Sequence, residues 1–120
     1  MRAIGYFQSL PIHAAESLVD IELPIPTATG HDLLVRVEAI AANPVDFKIR
    51  KNRAPQADKA EVLGWDAAGT VVAVGELVSL FKVGDPVFYA GALNRPGANS
   101  EFHLVDERWV GAKPHNLSFA

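Results

Sequence analysis

The stretch Leu63–Tyr89, LGWDAAGTVVAVGELVSLFKVGDPVFY, constrains the fold of this chain more than any other. Within it, Ala67 to Val74 is a nearly continuous apolar run rich in β-branched residues. Such a run predicts a strand that is buried on both sides. Gly84-Asp85-Pro86 predicts a turn, and Val87 to Tyr89 follows as a second apolar run. Glycines stand where the backbone turns or packs closely, and we interpret them as architectural: Gly64, Gly69, Gly75 and Gly84.

The rest of the chain alternates short apolar segments with turn residues. In one of these segments, Val35-Arg36-Val37-Glu38-Ala39 alternates cleanly, which predicts a strand with one solvent-exposed face. The further predicted strands are Arg2–Gln8, Leu18–Leu23, Leu33–Ile40, Glu101–Val105 and Trp109–Lys113.

Helical signals are few. Asn43-Pro44 is typical of an N-cap with proline at the first helical position, so we predict a short helix over Val45–Lys51. The polar segment Lys51–Glu61 predicts a mobile surface loop, and Pro114–Ala120 has the pattern of a second helix start. Many short strands with little helix favour a mainly β fold, either a barrel or a sandwich.

Composition excludes several classes of function. The net charge of −3 gives no electrostatic reason to bind nucleic acid or an anionic membrane. The absence of cysteine excludes disulfides and thiolate zinc sites. No apolar run approaches the roughly 20 residues that span a bilayer, and the first residues do not have the pattern of a secretory signal. At 120 residues we expect one domain, residues 1–120, in a cytoplasmic protein.

Two motifs point to a family. Gly64-Trp65-Asp66-Ala67-Ala68-Gly69, followed by the apolar strand and then Gly84-Asp85-Pro86-Val87, resembles the core of the medium-chain dehydrogenase/reductase superfamily. That family has Gly-His-Glu-x-x-Gly before the strand and Gly-Asp-x-Val after it. The whole chain resembles the branch of zinc-type alcohol dehydrogenase-like proteins and quinone oxidoreductases. The resemblance implies a GroES-like, partly open β-barrel with one or two short helices.

The resemblance also implies which positions form the site, and there the residues depart from the zinc enzymes. Asn43 stands where those enzymes have a cysteine ligand, and Val45 stands where they have the relay hydroxyl. Trp65 replaces the histidine ligand and Asp66 the glutamate. A catalytic zinc needs about three protein ligands, so we expect no metal. After Gly91, where zinc relatives insert a four-cysteine lobe that binds a structural zinc, this chain has only the cysteine-free segment ALNRPGAN. Its four histidines are not spaced as metal ligands.

Asn43 and Asp46 match the pattern of zinc-free quinone oxidoreductases. That resemblance implies that both are catalytic and that Asn43 and Val45 lie beside the cofactor. The Asn43 amide would donate a hydrogen bond to a carbonyl oxygen that gains negative charge. Alternatively, Asn43 only caps the helix. Asp46 could instead bond backbone amides, or pair with Arg50 four residues on.

Three residues around the strand entrance are candidates for the substrate pocket. Trp65 would take the vacated metal position and stack on a flat ring such as a quinone, or it is simply a core aromatic residue. Asp66 follows it directly, at the start of the predicted strand. Tyr89 could donate a proton, although such a tyrosine is more often structural.

No Gly-x-Gly-x-x-Gly motif opens a helix in this chain. In the resembled family, the chain continues past a segment like KPHNLSFA into a Rossmann domain that binds the dinucleotide. We therefore expect this chain to hold only the substrate-side domain, without the cofactor domain, and to be inactive alone.

These observations predict the N-terminal catalytic domain of a zinc-independent, NADPH-dependent oxidoreductase. The intact enzyme would pass hydride to a small quinone or an activated double bond, and would form a homodimer. The alternative is a stand-alone GroES-like binding or assembly module without enzymatic activity. A co-chaperonin of that kind would have a long glycine-rich loop with an apolar tip, and the Lys51–Glu61 segment has neither feature.

Overall fold

The computed structural model describes all 120 residues, and its regular elements are eight strands, one α-helix and one 3₁₀ turn. The strands are β1 (Arg2–Tyr6), β2 (Val19–Glu22), β3 (Asp32–Ala41), β4 (Glu61–Val62), β5 (Asp66–Val74), β6 (Pro86–Ala90), β7 (Phe102–Asp106) and β8 (Val110–Ala112). The helix α1 covers Pro44–Asn52, and the 3₁₀ turn covers Glu107–Trp109.

The strands form two antiparallel sheets. One is three-stranded with the order β2-β1-β4, and the other is five-stranded with the order β7-β3-β5-β6-β8. Both sheets stay open, so they do not close into a barrel. The predicted fold class is confirmed: the chain is mainly β, with one short helix and the open architecture of a GroES-like domain.

The main core lies on one face of the five-stranded sheet. It is built from the inward side chains of β3, β5, β6 and β7, among them the fully buried Leu33, Val35, Val71 and Val87. Each such aliphatic side chain contributes about 1.5–3 kcal/mol through its burial. The prediction that β5 is buried on both sides was wrong. Its burial alternates along the strand, because the residues between the core positions lie on a face that stays partly exposed.

Gly69 allows the two central strands to approach each other. It pairs with Val37 of β3, beside an irregularity in the register of the two strands. A Cβ atom at this position would lie 2.1 Å from the carbonyl oxygen of Arg36, and real Cβ atoms do not come that close to backbone. Glycine is therefore required here by close approach, and Gly84 is required by its φ of +96° in the turn before β6.

Most predicted elements are present with small shifts at their ends, but three predictions need correction. The tail from Pro114 does not form a second helix, because the Lys113 ammonium binds the carbonyl oxygens of Pro114 and Leu117 and closes a turn instead. The last predicted strand begins only at Val110, since Trp109 belongs to the 3₁₀ turn. The predicted loop Lys51–Glu61 is shorter, because α1 continues to Asn52 and Glu61 pairs with Tyr6.

The structure contains no helix with the length and apolar character that crossing a membrane requires.

Candidate functional site

The start of α1 and the start of β5 meet through the carboxylate of Asp46. Asn43 is the N-cap of α1, with Pro44 at the first helical position as predicted. The Asn43 backbone N–H donates to Asp46 Oδ2 at 2.7 Å, and the Gly64 backbone N–H donates to Asp46 Oδ1 at 3.0 Å. Asp46 thus binds backbone amides, and it makes no pair with Arg50, which donates to the Leu10 carbonyl oxygen at 2.6 Å. These bonds hold the entrance of β5 against the helix.

The Asn43 side chain links this helix start to Asp66. Its Nδ2 donates to Asp66 Oδ2 at 2.7 Å and to the Ala41 carbonyl oxygen at 3.2 Å. Asp66 is the first residue of β5 and is half-buried. The bond to its carboxylate is short and charge-assisted, so it is the stronger of the two. The second N–H of Asn43 is held more weakly.

Two hollows lie near this Asn43–Asp66 pair, and Asp66 lines the first of them. One, of about 430 Å³, is lined by Asp66 and by apolar residues that include Ile40, Phe88 and Phe119. The other, of about 230 Å³, is lined by Asp46 and by apolar residues that include Ile12, Leu18, Ile40 and Phe47. Ile40 and Ala41 line both hollows. An acidic side chain at the edge of a mostly apolar cleft can orient a mostly apolar ligand.

Trp65 lies in a core cluster behind the helix. It is 3 % exposed and packs with Tyr6 and Leu63, and Val45 and Ile49 of α1 pack against this cluster. Its Nε1 donates to the Arg95 carbonyl oxygen at 3.2 Å. In this arrangement Trp65 and Val45 fix the position of α1 from its inner side.

Tyr89 also lies in the core, where it meets a partner that the sequence did not reveal. Its hydroxyl lies 2.9 Å from Nδ1 of His103, and the two rings stack with centroids 5.6 Å apart. Nε2 of His103 lies 2.9 Å from the Pro96 carbonyl oxygen. Because a carbonyl only accepts, Nε2 carries the proton, and Nδ1 accepts from the tyrosine hydroxyl. Burial raises the pKa of Tyr89 and lowers the pKa of His103, so both side chains stay neutral near pH 7.

The sequence missed this pair because the two residues come from strands that are not neighbours in the sheet. The signal that could have found it is the alternation of each strand. Tyr89 and His103 both occupy inward positions, with buried Val87 and Val105 as the next inward residues.

The residues at the site do not fit a zinc ion. Nowhere do three or more His, Asp or Glu side chains come together as a metal site. By the family resemblance, Asn43 and Trp65 stand at two positions that hold zinc ligands in the zinc enzymes. The Asn43 amide is bonded to Asp66, and Trp65 is buried. This set offers one carboxylate instead of the three ligands of a catalytic zinc.

A nicotinamide cofactor fits the site only through its ring. The larger hollow is lined by Asp66 and otherwise by apolar residues, a lining that suits a nicotinamide ring. The pyrophosphate does not fit α1, because Pro44 has no N–H to donate and the Asp46 carboxylate occupies the helix start.

The chain resembles known proteins over its whole length. The family described as "Alcohol dehydrogenase GroES-like domain" matches residues 29–115. A zinc-type alcohol dehydrogenase-like protein of Staphylococcus epidermidis is 41 % identical over 118 residues, which are 98 % of this chain and 34 % of that protein. A quinone oxidoreductase of Lama guanicoe is 38 % identical over 103 residues, covering 83 % of this chain and 29 % of that protein.

Solved structures of related proteins have the same fold as this chain. A crystal structure from Rhizobium etli CFN 42, provisionally assigned to the zinc-dependent alcohol dehydrogenases, superposes with a TM-score of 0.97 at 56 % identity, over 100 % of this chain and 35 % of that one. The quinone oxidoreductase of Escherichia coli, complexed with NADPH, superposes with a TM-score of 0.83 at 30 % identity, over 99 % of this chain and 35 % of that one. The chain thus spans about a third of the length of the relatives that it matches.

Proposed function

Because this chain belongs to the family of alcohol dehydrogenase GroES-like domains, we propose that it is the catalytic, substrate-side domain of a zinc-independent, NADPH-dependent oxidoreductase. The acceptor of the hydride is a small quinone or an activated double bond. The observation that supports this proposal is the Asn43–Asp66 hydrogen bond, which orients an amide donor at a position that corresponds, by the family resemblance, to a zinc ligand of the zinc enzymes.

Asn43 is the proposed catalytic residue. One of its N–H groups stays on Asp66, and the other, held only by the longer bond to the Ala41 carbonyl oxygen, is shared with the carbonyl oxygen of the acceptor. That oxygen gains negative charge as hydride arrives, and a fixed donor stabilises the charge. The Asp66 carboxylate orients the amide, and Asp46 is the proposed positioning residue, since it holds the backbone N–H of Asn43.

The other candidate residues shape the site. We propose that Trp65 and Val45 keep α1 in place, with Val45 and Asn43 on the side of the nicotinamide, and that Tyr89 closes the inner wall of the larger hollow. When bound, the cofactor supplies the hydride. The choice of NADPH is supported by two structural relatives, the E. coli quinone oxidoreductase and a mycobacterial protein, both complexed with NADPH.

The proposed acceptors follow from the kind of group that assists the reaction, which is the Asn43 amide. A simple ketone needs stronger polarisation of its carbonyl group to accept hydride, by a metal ion or an acid, whereas a quinone or a conjugated double bond needs less. An amide donor in place of a metal therefore suits the more reactive acceptors.

The experiment that tests this function measures NADPH consumption at 340 nm by the gene product that contains these 120 residues, with 2-ethyl-1,4-naphthoquinone as the acceptor. We expect turnover with the quinone and none with a simple ketone such as acetone. The 120-residue chain alone should show no turnover. The proposal is wrong if the gene product leaves the quinone unreduced, or if the 120 residues alone reduce it.

A further inference from the structure

Arg50 of α1 is a buried cation without a counter-ion. It is 8 % exposed, and none of the ion pairs in the structure includes it. Arginine is almost never buried unless it is paired, because water then no longer stabilises its charge. The buried carboxylate of Glu107 shows the usual arrangement, since it binds His31 and the backbone N–H groups of Ser79 and Leu80. The fold supplies no such partner for the charge of Arg50.

One edge of the Arg50 guanidinium group is free. Nη1 donates to the Leu10 carbonyl oxygen at 2.6 Å, whereas Nε and Nη2 donate to no atom of the protein. These two nitrogens are not sealed inside the fold, because the only fully buried side-chain atom without a partner is Oδ1 of Asn99. The N–H of Nε and one N–H of Nη2 are parallel, and this fork matches the two oxygens of a carboxylate.

Arg50 lines the smaller of the two hollows described above, of about 230 Å³. Most of the other residues that line it are apolar, and four of these are partly exposed: Ile12, Leu18, Ile40 and Phe47. Such a lining can cover the apolar body of a ligand while one charged side chain fixes its polar end. Because the volume is below the roughly 300–1,000 Å³ of drug-sized pockets, the hollow suits a small ligand.

The charges of the hollow favour an anion with a single negative charge. Asp46 is the only acidic residue that lines it, and no second cation does. Both oxygens of Asp46 accept from backbone N–H groups, those of Asn43 and Gly64, so they leave the Arg50 fork free. The negative charge of Asp46 repels a doubly charged phosphate more strongly than a carboxylate. A carboxylate therefore fits both the fork and the charge of the hollow.

We propose that the smaller hollow is a binding site for small monocarboxylates with an apolar body, and that the free Nε–Nη2 edge of Arg50 holds the carboxylate through two parallel hydrogen bonds. Neither Asn43 nor Asp66 lines this hollow. The inference goes beyond the proposed function, because binding at this site requires neither NADPH nor hydride transfer.

The test compares 3-phenylpropanoate with 3-phenylpropanamide, which has nearly the same shape but no charge. The dissociation constant of each is measured by calorimetry with the gene product and with its Arg50→Gln variant. We expect the wild-type protein to bind the carboxylate at least about tenfold more tightly than the amide, as charge-assisted hydrogen bonds allow. In Arg50→Gln this preference should fall about tenfold, while the affinity for the amide changes much less.

The matched control is Lys51→Gln. It removes one positive charge from the same helix, but from an exposed side chain that does not line the hollow. The control should keep the wild-type preference for the carboxylate. The proposal is overturned if both variants lose the preference equally, since the carboxylate would then respond only to the net charge of the helix. It is overturned also if Arg50→Gln keeps the preference.

A second variant covers the case in which Arg50→Gln does not fold, as judged by circular dichroism. Arg50→Lys keeps the positive charge but has no planar fork, and an unchanged preference in this variant overturns the two-bond contact. If neither variant folds, the wild-type protein decides, because failure to prefer 3-phenylpropanoate over the amide overturns the proposal. All these measurements are made without NADPH or quinone, so they stand whether or not the gene product reduces a quinone.

Discussion

At the scale of single residues, the site depends on how Asn43 divides its two N–H groups. The shorter bond goes to a carboxylate and the longer one to a backbone carbonyl. The longer bond can be exchanged for a bond to an acceptor at little cost, because one neutral hydrogen bond replaces another. The N-cap position is therefore compatible with a catalytic role, since the backbone amide of Asn43 binds Asp46 while its side chain points to Asp66.

Replacing Asn43 by alanine tests this role. We expect Asn43→Ala to lower kcat for quinone reduction by roughly 10²-fold, the usual loss when a single donor to a developing oxyanion is removed. The control is Asn52→Ala, which removes an exposed side chain whose amide donates only to the Lys48 carbonyl oxygen. Equal kcat values for the two variants, measured from NADPH consumption, would show that Asn43 only caps the helix.

At the scale of elements, the pairing of β3 with β5 sets the geometry of the site, because Asp66 and Ala41 are paired at the end of that ladder. Gly69 lies in the middle of it and allows the strands to touch. A disturbance there would move the entrance of β5 relative to α1.

The variant Gly69→Ala measures how tightly this ladder is packed. Its new methyl group would meet the backbone of Arg36, so we expect a loss of roughly 1–3 kcal/mol in the free energy of unfolding. Gly91→Ala is the matched control, because a Cβ there would meet its nearest neighbours at 3.4 to 3.5 Å, which is ordinary contact. Urea unfolding of both variants gives the comparison, and a loss at position 69 no larger than at position 91 would contradict this packing.

The sequence predicted the strands β3 and β5 themselves better than it predicted the contacts of the site. The β-branched run of β5 and the alternation of β3 each appear in consecutive residues, so local patterns suffice to find them. The Asn43–Asp66 bond was not predicted, because it joins positions 23 residues apart. The family resemblance named both residues as candidates for the site but gave no contact between them. The alternation of β6 and β7 indicates inward positions for Tyr89 and His103, but their contact depends on how strands that are not neighbours pack together, and no local pattern encodes that.

The Tyr89–His103 pair predicts how stability depends on pH. Burial lowers the pKa of His103 below its ordinary value of 6.5. As the pH falls through 6.5, the unfolded chain binds a proton before the folded chain does, so the free energy of unfolding decreases. Above that pH the histidine is neutral in both states and contributes no pH dependence.

Unfolding in urea at about pH 7.5 and at about pH 5.5 tests this sign. We expect the wild-type chain to lose stability at the lower pH and His103→Gln to lose less between the same two conditions. If wild type and variant show the same change, His103 does not remain neutral in the fold.

At the scale of the whole molecule, part of the exposed apolar surface lies around the site. Ile40, Phe47 and Phe88 are each about half exposed and line the two hollows. Exposed apolar residues that lie together mark surfaces that bind other molecules. In the proposed enzyme, the cofactor and its domain would cover this surface.

The isolated chain is therefore expected to self-associate through this surface. Sedimentation velocity over a range of concentrations should show a weight-average mass that rises with concentration for the wild-type chain. Phe88→Ser, on the exposed face of β6, should reduce that rise. A strict monomer throughout the range would contradict the expectation, as would an unchanged rise in the variant.

The central claim is that an amide, and not a metal, assists hydride transfer in this family member. The most direct measurement is the rate of quinone reduction by the gene product after prolonged dialysis against a strong zinc chelator, with its metal content determined in the same sample. The account predicts an unchanged kcat at less than about one zinc per ten protein chains. The reason is that Asn43, Trp65 and Asp66 supply one carboxylate and not the three ligands of a catalytic zinc. A rate that falls with the zinc content and returns when zinc is added would contradict it.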